Sequence, residues 1–238
     1  MDNTGYTTIT RQTGLMREMQ VLANNIANAA TTGFRQEGVI FSEYVMRVQD
    51  GPSVSMGQGN VRQTSLLQGE VASTGGTFDF AIEGDGFFLI ETPAGERLTR
   101  AGSFTPNAAG DLVTNSGFPV LDPGGAPVFV PPGAQTIAVS SDGTLSADGV
   151  LLGQIAVVRP ENPNGLVRED GVMFDAPDGF AAAEDARVLQ GFVENSNVAP
   201  MAQMARMIEV QRAYEMGQSF LENEDERVRQ AIESMTKS

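Results

Sequence analysis

The feature that most constrains this chain is a pair of helical patterns at its two ends. In the N-terminal segment 15–34, apolar residues recur at steps of three and four, at Leu15, Met19, Leu22, Ile26 and Ala29. This spacing predicts a helix with one narrow apolar seam, of the kind that packs against another helix. A second seam of the same period follows in segment 201–235, at Met207, Val210, Tyr214, Leu221, Val228 and Met235. We therefore predict that the two ends pair and that everything between them is an insertion.

The partner and the register of these helices stay open at this point. Gly217, Glu224 and Ala231 also fall on the C-terminal seam, so that seam is imperfect. An ordinary amphipathic helix that covers its own domain would show the same period. Asn25 and Asn28 favour a specific contact, because buried amides need several hydrogen bonds. We expect these amides to bond across helices or to neighbouring subunits.

The middle of the chain has the turns and short apolar runs of a β domain. All 12 prolines lie between Pro52 and Pro200. Asp-Gly pairs, which favour tight turns, begin at Asp85, Asp142, Asp148, Asp170 and Asp178. The apolar runs between them include 78–82, 87–90, 128–130, 137–139 and 155–158. Many short strands with frequent turns predict an antiparallel barrel or sandwich. The predicted fold class is therefore α+β, with paired, coiled-coil-like terminal helices and an inserted all-β, mainly antiparallel domain.

We divide the chain into five segments in sequence order. They are an N-terminal helix over 1–35 with Gly33 as its stop, a connector over 36–69, a β domain over 70–187, a returning connector over 188–200, and a final helix over 201–238. In the first connector, residues 36–48 fit either a strand or a turn of helix. Residues 50–60 are predicted to form a glycine-bearing loop.

Composition narrows the chemistry that the chain can perform. The absence of Cys and His excludes disulfides, thiol nucleophiles, Ser-His-Asp triads and nearly all zinc sites. The net charge of −15 disfavours nucleic acid as a partner, and no apolar run approaches the length of a membrane span. The net charge is 0 over residues 1–69, −12 over 70–189 and −3 over 190–238. Because the excess acid lies in the middle, we expect the β domain to face solvent and the ends to pack closely. No cofactor or metal is expected.

One group of carboxylates resembles a catalytic arrangement. Asp79, Glu83 and Asp85 lie close in sequence, and paired carboxylates are what glycoside cleavage uses. Asp79, however, alternates with Phe78 and Phe80 and should face solvent, and residues 83–86 have the composition of a hairpin turn. The chain also has no Trp to stack against sugars. We predict no catalytic role, with a periplasmic polysaccharide-acting enzyme as a remote alternative.

Three stretches of the sequence resemble the bacterial flagellar rod and hook proteins. ANNIANAATTGFR (23–35) is similar to their N-terminal motif, and SNVAPMAQMARMIEVQRAYEMGQSF (196–220) is similar to their C-terminal motif. FDFAIEGDGFFLIETPAGERLTRAGSF (78–104) looks like the central domain of the larger members. Residues 29–32 depart from the pattern, because relatives often have a proline before the glycine. By its length the chain resembles the proximal rod branch, and a distal rod or hook-type axial protein is the alternative.

The resemblance implies a structural subunit of the flagellar rod, the drive shaft of bacterial motility. Such a subunit would self-associate through its terminal helices with copies of itself and with other proximal and distal rod subunits, and so transmit torque. The matching residues that the resemblance places at subunit interfaces are Leu22, Asn24, Asn25, Ile26, Asn28, Gly33, Phe34, Asn197, Val198, Met207, Ile208, Val210, Gln211, Arg212, Tyr214 and Phe220. If the amides of Asn25 and Asn28 serve assembly, replacing both by Leu should leave the isolated chain folded and abolish incorporation into the rod.

The resemblance also implies where the chain is delivered. Rod proteins resemble substrates of the flagellar export apparatus and reach the basal body, in the periplasmic space, without a cleaved signal peptide. The first residues have neither the basic flank nor the apolar core of such a peptide. Phe41 and Val45 match a short export motif, although burial in a local core would explain them equally well.

Overall fold

A computed structural model describes residues 3–46 and 54–236 of the chain, and the side chains of residues 8–40 and 63–236. Two long helices open and close this part: α1 spans Asn3–Ala27 and α2 spans Pro200–Thr236. Strands and one turn of 3-10 helix, Pro163–Gly165, lie between them. The predicted α+β class, with terminal helices around a mainly antiparallel β domain, is confirmed.

The strands are numbered in chain order. They are β1 (Glu37–Met46), β2 (Val54–Thr64), β3 (Val71–Ser73), β4 (Phe80–Glu83), β5 (Phe87–Thr92), β6 (Gly95–Thr99), β7 (Phe104–Pro106), β8 (Leu112–Thr114), β9 (Ile137–Val139), β10 (Thr144–Ala147), β11 (Val150–Gln154), β12 (Val157–Pro160), β13 (Val167–Arg168), β14 (Met173–Asp175), β15 (Phe180–Ala182), β16 (Arg187–Gln190) and β17 (Phe192–Glu194).

The chain divides into two compact units. The helical unit contains α1, α2 and the two-stranded sheet formed by β1 and β2. The β unit contains residues 28–36 and 64–198. Within the helical unit, α2 begins with Pro200, whose missing N–H costs nothing at this position. No described helix is long and apolar enough to cross a membrane.

The β unit is built from one larger sheet and several small ones. The larger sheet has the order β13-β14-β6-β5-β12-β15, and a three-stranded sheet has the order β11-β10-β9. Two-stranded sheets pair β3 with β17, β4 with β16, and β7 with β8. Because β3 and β4 lead into the unit while β16 and β17 lead out, the chain enters and leaves the β unit on neighbouring strands.

Alternation along β5 explains how the core of the β unit forms. Phe88 and Ile90 join one buried cluster, whereas Phe87 and Leu89 join a second. Successive strand side chains point to opposite faces, so β5 is buried on both. The Phe88 ring meets Phe104 edge to face, with their centroids 5.3 Å apart. The two clusters place β5 at the centre of the β unit.

The Asp-Gly pairs are not all hairpin turns. Asp148 and Gly149 have φ values of 49° and 83° and connect β10 to β11, with Ala147 opposite Val150. This is the geometry of a tight two-residue hairpin, as predicted. Residues 83–86, in contrast, join β4 to β5, which lie in different sheets. The hairpin predicted there is wrong, and these residues carry the chain from one sheet to another.

The first connector is more regular than the sequence indicates. Residues 36–48, which fit either a strand or a helical turn, provide β1. The loop predicted over 50–60 is wrong from Val54 onward, because β2 begins there and pairs with β1. Residues 50–53 lie outside the described part. Pairing with β1 supplies the hydrogen bonds that the glycine-containing sequence of β2 would not by itself favour.

The predicted apolar runs 128–130 and 155–158 do not coincide fully with strands, and the run 78–82 likewise begins two residues before β4. Residues 128–130 are extended, and the Val128 N–H donates to Val120 O at 2.8 Å, but only isolated bridges form there. The run 155–158 begins two residues before β12. The first two runs are nevertheless part of the core, because Val128 and Ile155 are buried.

Helix α1 ends at Ala27, several residues before the predicted stop at Gly33. The chain turns after Ala27, where the Thr31 N–H and hydroxyl donate to the backbone and side-chain oxygens of Asn28, both at 3.1 Å. Gly33 has φ of +72°, and its N–H donates to Glu194 O at 2.7 Å. A Cβ on Gly33 would overlap the backbone of Arg100 and Ala101. Gly33 therefore lies where two backbone segments cross closely, and it does not terminate the helix.

Gly33→Ala should destabilise the β unit by at least about 3 kcal/mol, because it combines a left-handed φ with a backbone overlap that flexible side chains cannot relieve. Gly75 is a matched control, since its φ is +69° and no atom lies within 4 Å of the position that a Cβ would take. Gly75→Ala should cost only about 1 kcal/mol. Urea unfolding of both variants measures the difference, and equal losses would show that the crossing at Gly33 is not tight.

Candidate functional site

Helices α1 and α2 pack against each other in opposite directions. Asn25, near the end of α1, donates from Nδ2 to Oε1 of Gln203 near the start of α2, at 3.1 Å. Gln12, closer to the start of α1, donates from Nε2 to Tyr214 O at 3.1 Å. A residue late in α1 thus contacts the start of α2, and an earlier residue of α1 contacts a later one of α2, so the two helices are antiparallel. The predicted pairing of the two ends is confirmed within the chain.

The predicted seams meet at the centre of this pair. Leu15, Leu22 and Val210 form a buried cluster, against which partly buried Met19, Met207, Ala213 and Tyr214 pack. Ile26 is half-buried, and Ala29 follows the end of the helix. The shared surface of α1 and α2 is therefore a short apolar core with a polar network at one end.

Gly217, one of the three residues that interrupt the C-terminal seam, has a structural role. It lies within α2, where glycine lowers helix stability by about 1 kcal/mol relative to alanine. A Cβ at this position would overlap the amide group of Gln12. The glycine thus makes room for the Gln12 side chain, which crosses from α1. The apolar seam of α2 continues after it with Leu221.

Asn25 is a buried polar residue of the helical unit whose hydrogen-bonding groups are satisfied. Its side chain is 1 % exposed and makes three hydrogen bonds. Nδ2 donates to Glu37 O at 2.7 Å and to Gln203 Oε1, while Oδ1 accepts from the Glu37 N–H at 3.0 Å. The amide therefore joins α1 to both α2 and β1, as expected for a buried amide that bonds across helices.

Asn25 and Asn28 do not share one role. Asn28 lies half-buried in the turn after α1, where it accepts from Thr31. The expectation that the isolated chain tolerates Leu at both positions is at odds with the structure. Leu at 25 would leave the Glu37 backbone groups and the Gln203 amide without their partner inside a single chain.

Several motif residues hold the β unit together where the chain enters and leaves it. Asn197 accepts from the Gln36 N–H at 2.6 Å and donates to Leu67 O at 2.7 Å. Phe34 is buried beneath the guanidinium of Arg168, which lies 4.4 Å from its ring centroid. Val198 is buried as well. These residues are engaged inside the chain.

The remaining predicted interface residues are on the surface. They are Asn24, Ile208, Gln211, Arg212 and Phe220. Thus the sixteen predicted positions separate into a set engaged within the chain, which includes Leu22, Asn25, Gly33, Phe34 and Val210, and a smaller exposed set. Only the exposed set is available to another molecule without rearrangement of this chain.

The apolar face of α2 that packs on α1 continues beyond the contact. Val228, Ile232 and Met235 follow Leu221 at helical spacing on that face, yet they are 49 %, 56 % and 80 % exposed. Helix α1 begins at Asn3, and the antiparallel register places its start beside the middle of α2. The end of α2 therefore carries an apolar stripe that α1 does not cover in the described part.

The sequence did not reveal a buried ion cluster in the β unit. Glu194 accepts from Arg35 Nη2 and from Arg100 Nη1, both at 2.9 Å, and from the Gly69 N–H at 3.0 Å. Burial lowers the pKa of Arg35 to about 10, and Glu194 opposes that shift. Burial likewise lowers the pKa of Arg100. Both guanidiniums stay charged at neutral pH, so the cluster carries one excess positive charge. Arg35, Arg100 and Glu194 lie far apart in sequence, and no spacing among them predicts that they meet.

Of the three candidate catalytic carboxylates, Asp79 has a structural role. Asp79 is half-buried, so the expectation that it faces solvent is wrong; it accepts from the Thr74 hydroxyl at 2.6 Å and from the Ser103 hydroxyl at 2.8 Å. Glu83 and Asp85 are exposed. Among the described residues, no three His, Cys, Asp or Glu side chains form a group that could hold a metal ion. Phe41 and Val45 belong to β1, and their side chains lie outside those described.

Asn25→Leu should destabilise the helical unit by about 2 to 4 kcal/mol, because it removes the partners of three buried polar groups. Gln20→Leu, at an exposed position of the same helix, should change stability by no more than about 0.5 kcal/mol. Denaturant unfolding of the monomer, followed by helical circular dichroism, compares them. Equal midpoints for the two variants would mean that the Asn25 network contributes nothing to the fold.

Three protein-family models match segments of this chain that together include most of α1, part of the β unit and most of α2. The model described as Flagella basal body rod protein matches residues 6–35, which include most of α1 and the turn after it. The model for the flagellar hook protein FlgE/F/G D1 domain matches residues 81–147 of the β unit. The model for the flagellar basal body rod FlgEFG protein C-terminal region matches residues 189–234.

Curated relatives extend the similarity over the full length. Flagellar basal-body rod protein FlgF of Caulobacter vibrioides is 38 % identical over 100 % of this chain and 99 % of the relative. FlgF of Mesorhizobium japonicum is 36 % identical over 90 % of each chain. Flagellar basal-body rod protein FlgG of Bacillus subtilis is 31 % identical over 95 % of this chain and 97 % of the relative. The chain therefore belongs to the family of flagellar basal-body rod proteins.

Proposed function

We propose that this chain acts as a structural subunit of the flagellar rod by associating with copies of itself and with other rod proteins through α2. The observation that carries the proposal is the exposed apolar stripe formed by Val228, Ile232 and Met235. Helix formation by this segment does not require an apolar stripe, and exposed apolar side chains aligned on one face mark an interaction surface. A helix from a neighbouring subunit is the proposed cover.

A second exposed set lies elsewhere on α2. Met204 and Ile208 are exposed, and at about 100° per residue both fall on the side away from Val210. A helix with apolar residues on two sides can contact one neighbour through each. Two different contact surfaces on one subunit generate head-to-tail contacts, which build open helical assemblies when the rotation does not close.

Such an assembly supports torque transmission. A shaft that transmits torque requires interfaces that do not slip, and interdigitated helix packing resists sliding because each side chain sits between several others. The near-neutral ends of the chain suit close packing between copies, and the acidic middle segment suits an outward position. A structural role of this kind requires no catalysis.

Replacing Val228 and Ile232 by Asp should abolish incorporation into the rod and swimming, because two charges would be buried in the proposed contact. The isolated protein should keep its stability to within about 0.5 kcal/mol, since both side chains are exposed.

The matched control replaces Gln230 and Ser234 by Asp. These substitutions add the same two charges to the same end of α2, but on the side of the helix away from the apolar stripe. This variant should therefore still assemble. Incorporation is measured by immunoblotting of purified basal bodies. Normal swimming by the Val228→Asp, Ile232→Asp strain would show that the stripe is not an interface.

We further propose that the chain is delivered to the periplasmic rod by the flagellar export apparatus, without a cleaved signal peptide. The basis is the match of Phe41 and Val45 to the family's export motif. Phe41→Ala should reduce secreted protein at unchanged cellular levels, with Tyr44→Ala as the control on the same strand. Secretion of Phe41→Ala at the normal level would remove the motif from the proposal and leave the rod assignment intact.

A further inference from the structure

A cavity of about 640 Å³ opens in the β unit beside the buried ion cluster. Arg35 and Arg100 form part of its wall. Phe87, Pro160 and other apolar residues supply the rest of the interior surface. The cavity thus places two buried cationic groups next to apolar atoms, a combination that neither the helix pairing nor the assembly surfaces explain.

The buried charges beside the cavity do not balance. Arg35 and Arg100 are buried with a single buried carboxylate, Glu194, whose two oxygens already accept from both arginines and from the Gly69 N–H. Nε of Arg35 and Nε of Arg100 make no hydrogen bond within the part of the chain that the structure describes. One positive charge therefore lacks a buried counterion, because the further carboxylate whose charge acts on both guanidiniums, Asp85, is exposed, and an unused Nε donor remains on each guanidinium.

The mouth of the cavity limits which anion can enter. Asp85, Arg159 and Glu161 line it and are exposed. Their charges are screened by solvent more strongly than those of the buried cluster. Two acids against one arginine disfavour a dianion such as phosphate, whereas one negative charge matches the single excess positive charge inside.

We propose that this cavity binds a carboxylate group carried on a short apolar stem. The carboxylate would lie against the two guanidiniums, and the stem would contact Phe87 and the neighbouring prolines. Two sources share this chemistry: a small free carboxylic acid, and a Glu or Asp side chain of another protein molecule. The proposal does not depend on assembly of the rod, because all the residues that form the site belong to one β unit.

Titration of the full-length protein with sodium propionate tests the site. Propionate near saturation should raise Tm by roughly 3 °C above sodium chloride at the same ionic strength and pH. In the same titration, the Nε–H resonances of Arg35 and Arg100 should shift and saturate, while those of exposed arginines do not. No difference between propionate and chloride, or tighter binding of inorganic phosphate than of propionate, would overturn the proposal.

A variant of the rim separates binding from a general effect on stability. Asp85→Asn removes an exposed carboxylate whose charge competes with the ligand for both buried guanidiniums, and should tighten propionate binding roughly fivefold. Glu91→Gln removes one exposed acid from β5 outside the cavity lining and should leave the affinity unchanged. Equal affinities for the two variants would contradict a site beside Asp85.

A peptide identifies the source of the carboxylate. Residues 219–230 of this chain include exposed Glu222, Asp225 and Glu226, and serve as an acidic probe. Competition with propionate by this peptide, but not by a version with its acids changed to Gln and Asn, would support a protein side chain as the ligand. Propionate binding without competition would support a free carboxylic acid.

Discussion

The β unit depends on Glu194, which brings together four segments that are distant in sequence. Its carboxylate accepts from Arg35, Arg100 and the Gly69 N–H, and its backbone oxygen accepts from the Gly33 N–H. Breaking a buried ion pair by removing one partner typically costs about 3 to 5 kcal/mol, because the other charge is left buried. The close crossing at Gly33 lies within hydrogen-bonding distance of the same residue. Glu194 therefore adds to the pairing of the entry and exit strands a set of contacts that join these segments.

Periodicity predicted the elements whose stability comes from one repeated contact. The seams of α1 and α2 appear in sequence because each turn of helix must contribute an apolar residue to the same face. The end of α1 was not predictable in this way, since Gly33 has the composition of a helix stop but is required by the Arg100 backbone. Strand β2 was missed because its hydrogen bonds come from β1, and a sequence pattern does not show which strand supplies them.

The sequence predicted that the terminal helices carry the candidate site, but it did not predict which of their residues are buried and which are exposed. Asn25 and Asn24 look alike in sequence, yet one is buried in a network and the other is exposed. Likewise Val210 and Val228 belong to the same seam, but in the described part of the chain the first is buried against α1 and the second is exposed. Residues that serve the fold and residues that we propose to serve assembly therefore follow the same sequence pattern. Only the contacts in the folded chain tell the two groups apart.

The adjacency of the entry and exit strands has a consequence for how such chains change length. Val193 lies opposite Ala72 and Val188 lies opposite Ile82, so the two ends of the β unit emerge side by side. Closing a loop between neighbouring points costs little extra entropy as the loop grows, by about 0.6 kcal/mol for each doubling. Additional residues at a distant hairpin, such as the one at Asp148, would leave these ends where they are. A family with this arrangement can evolve members of different size while the helical ends keep the same pairing.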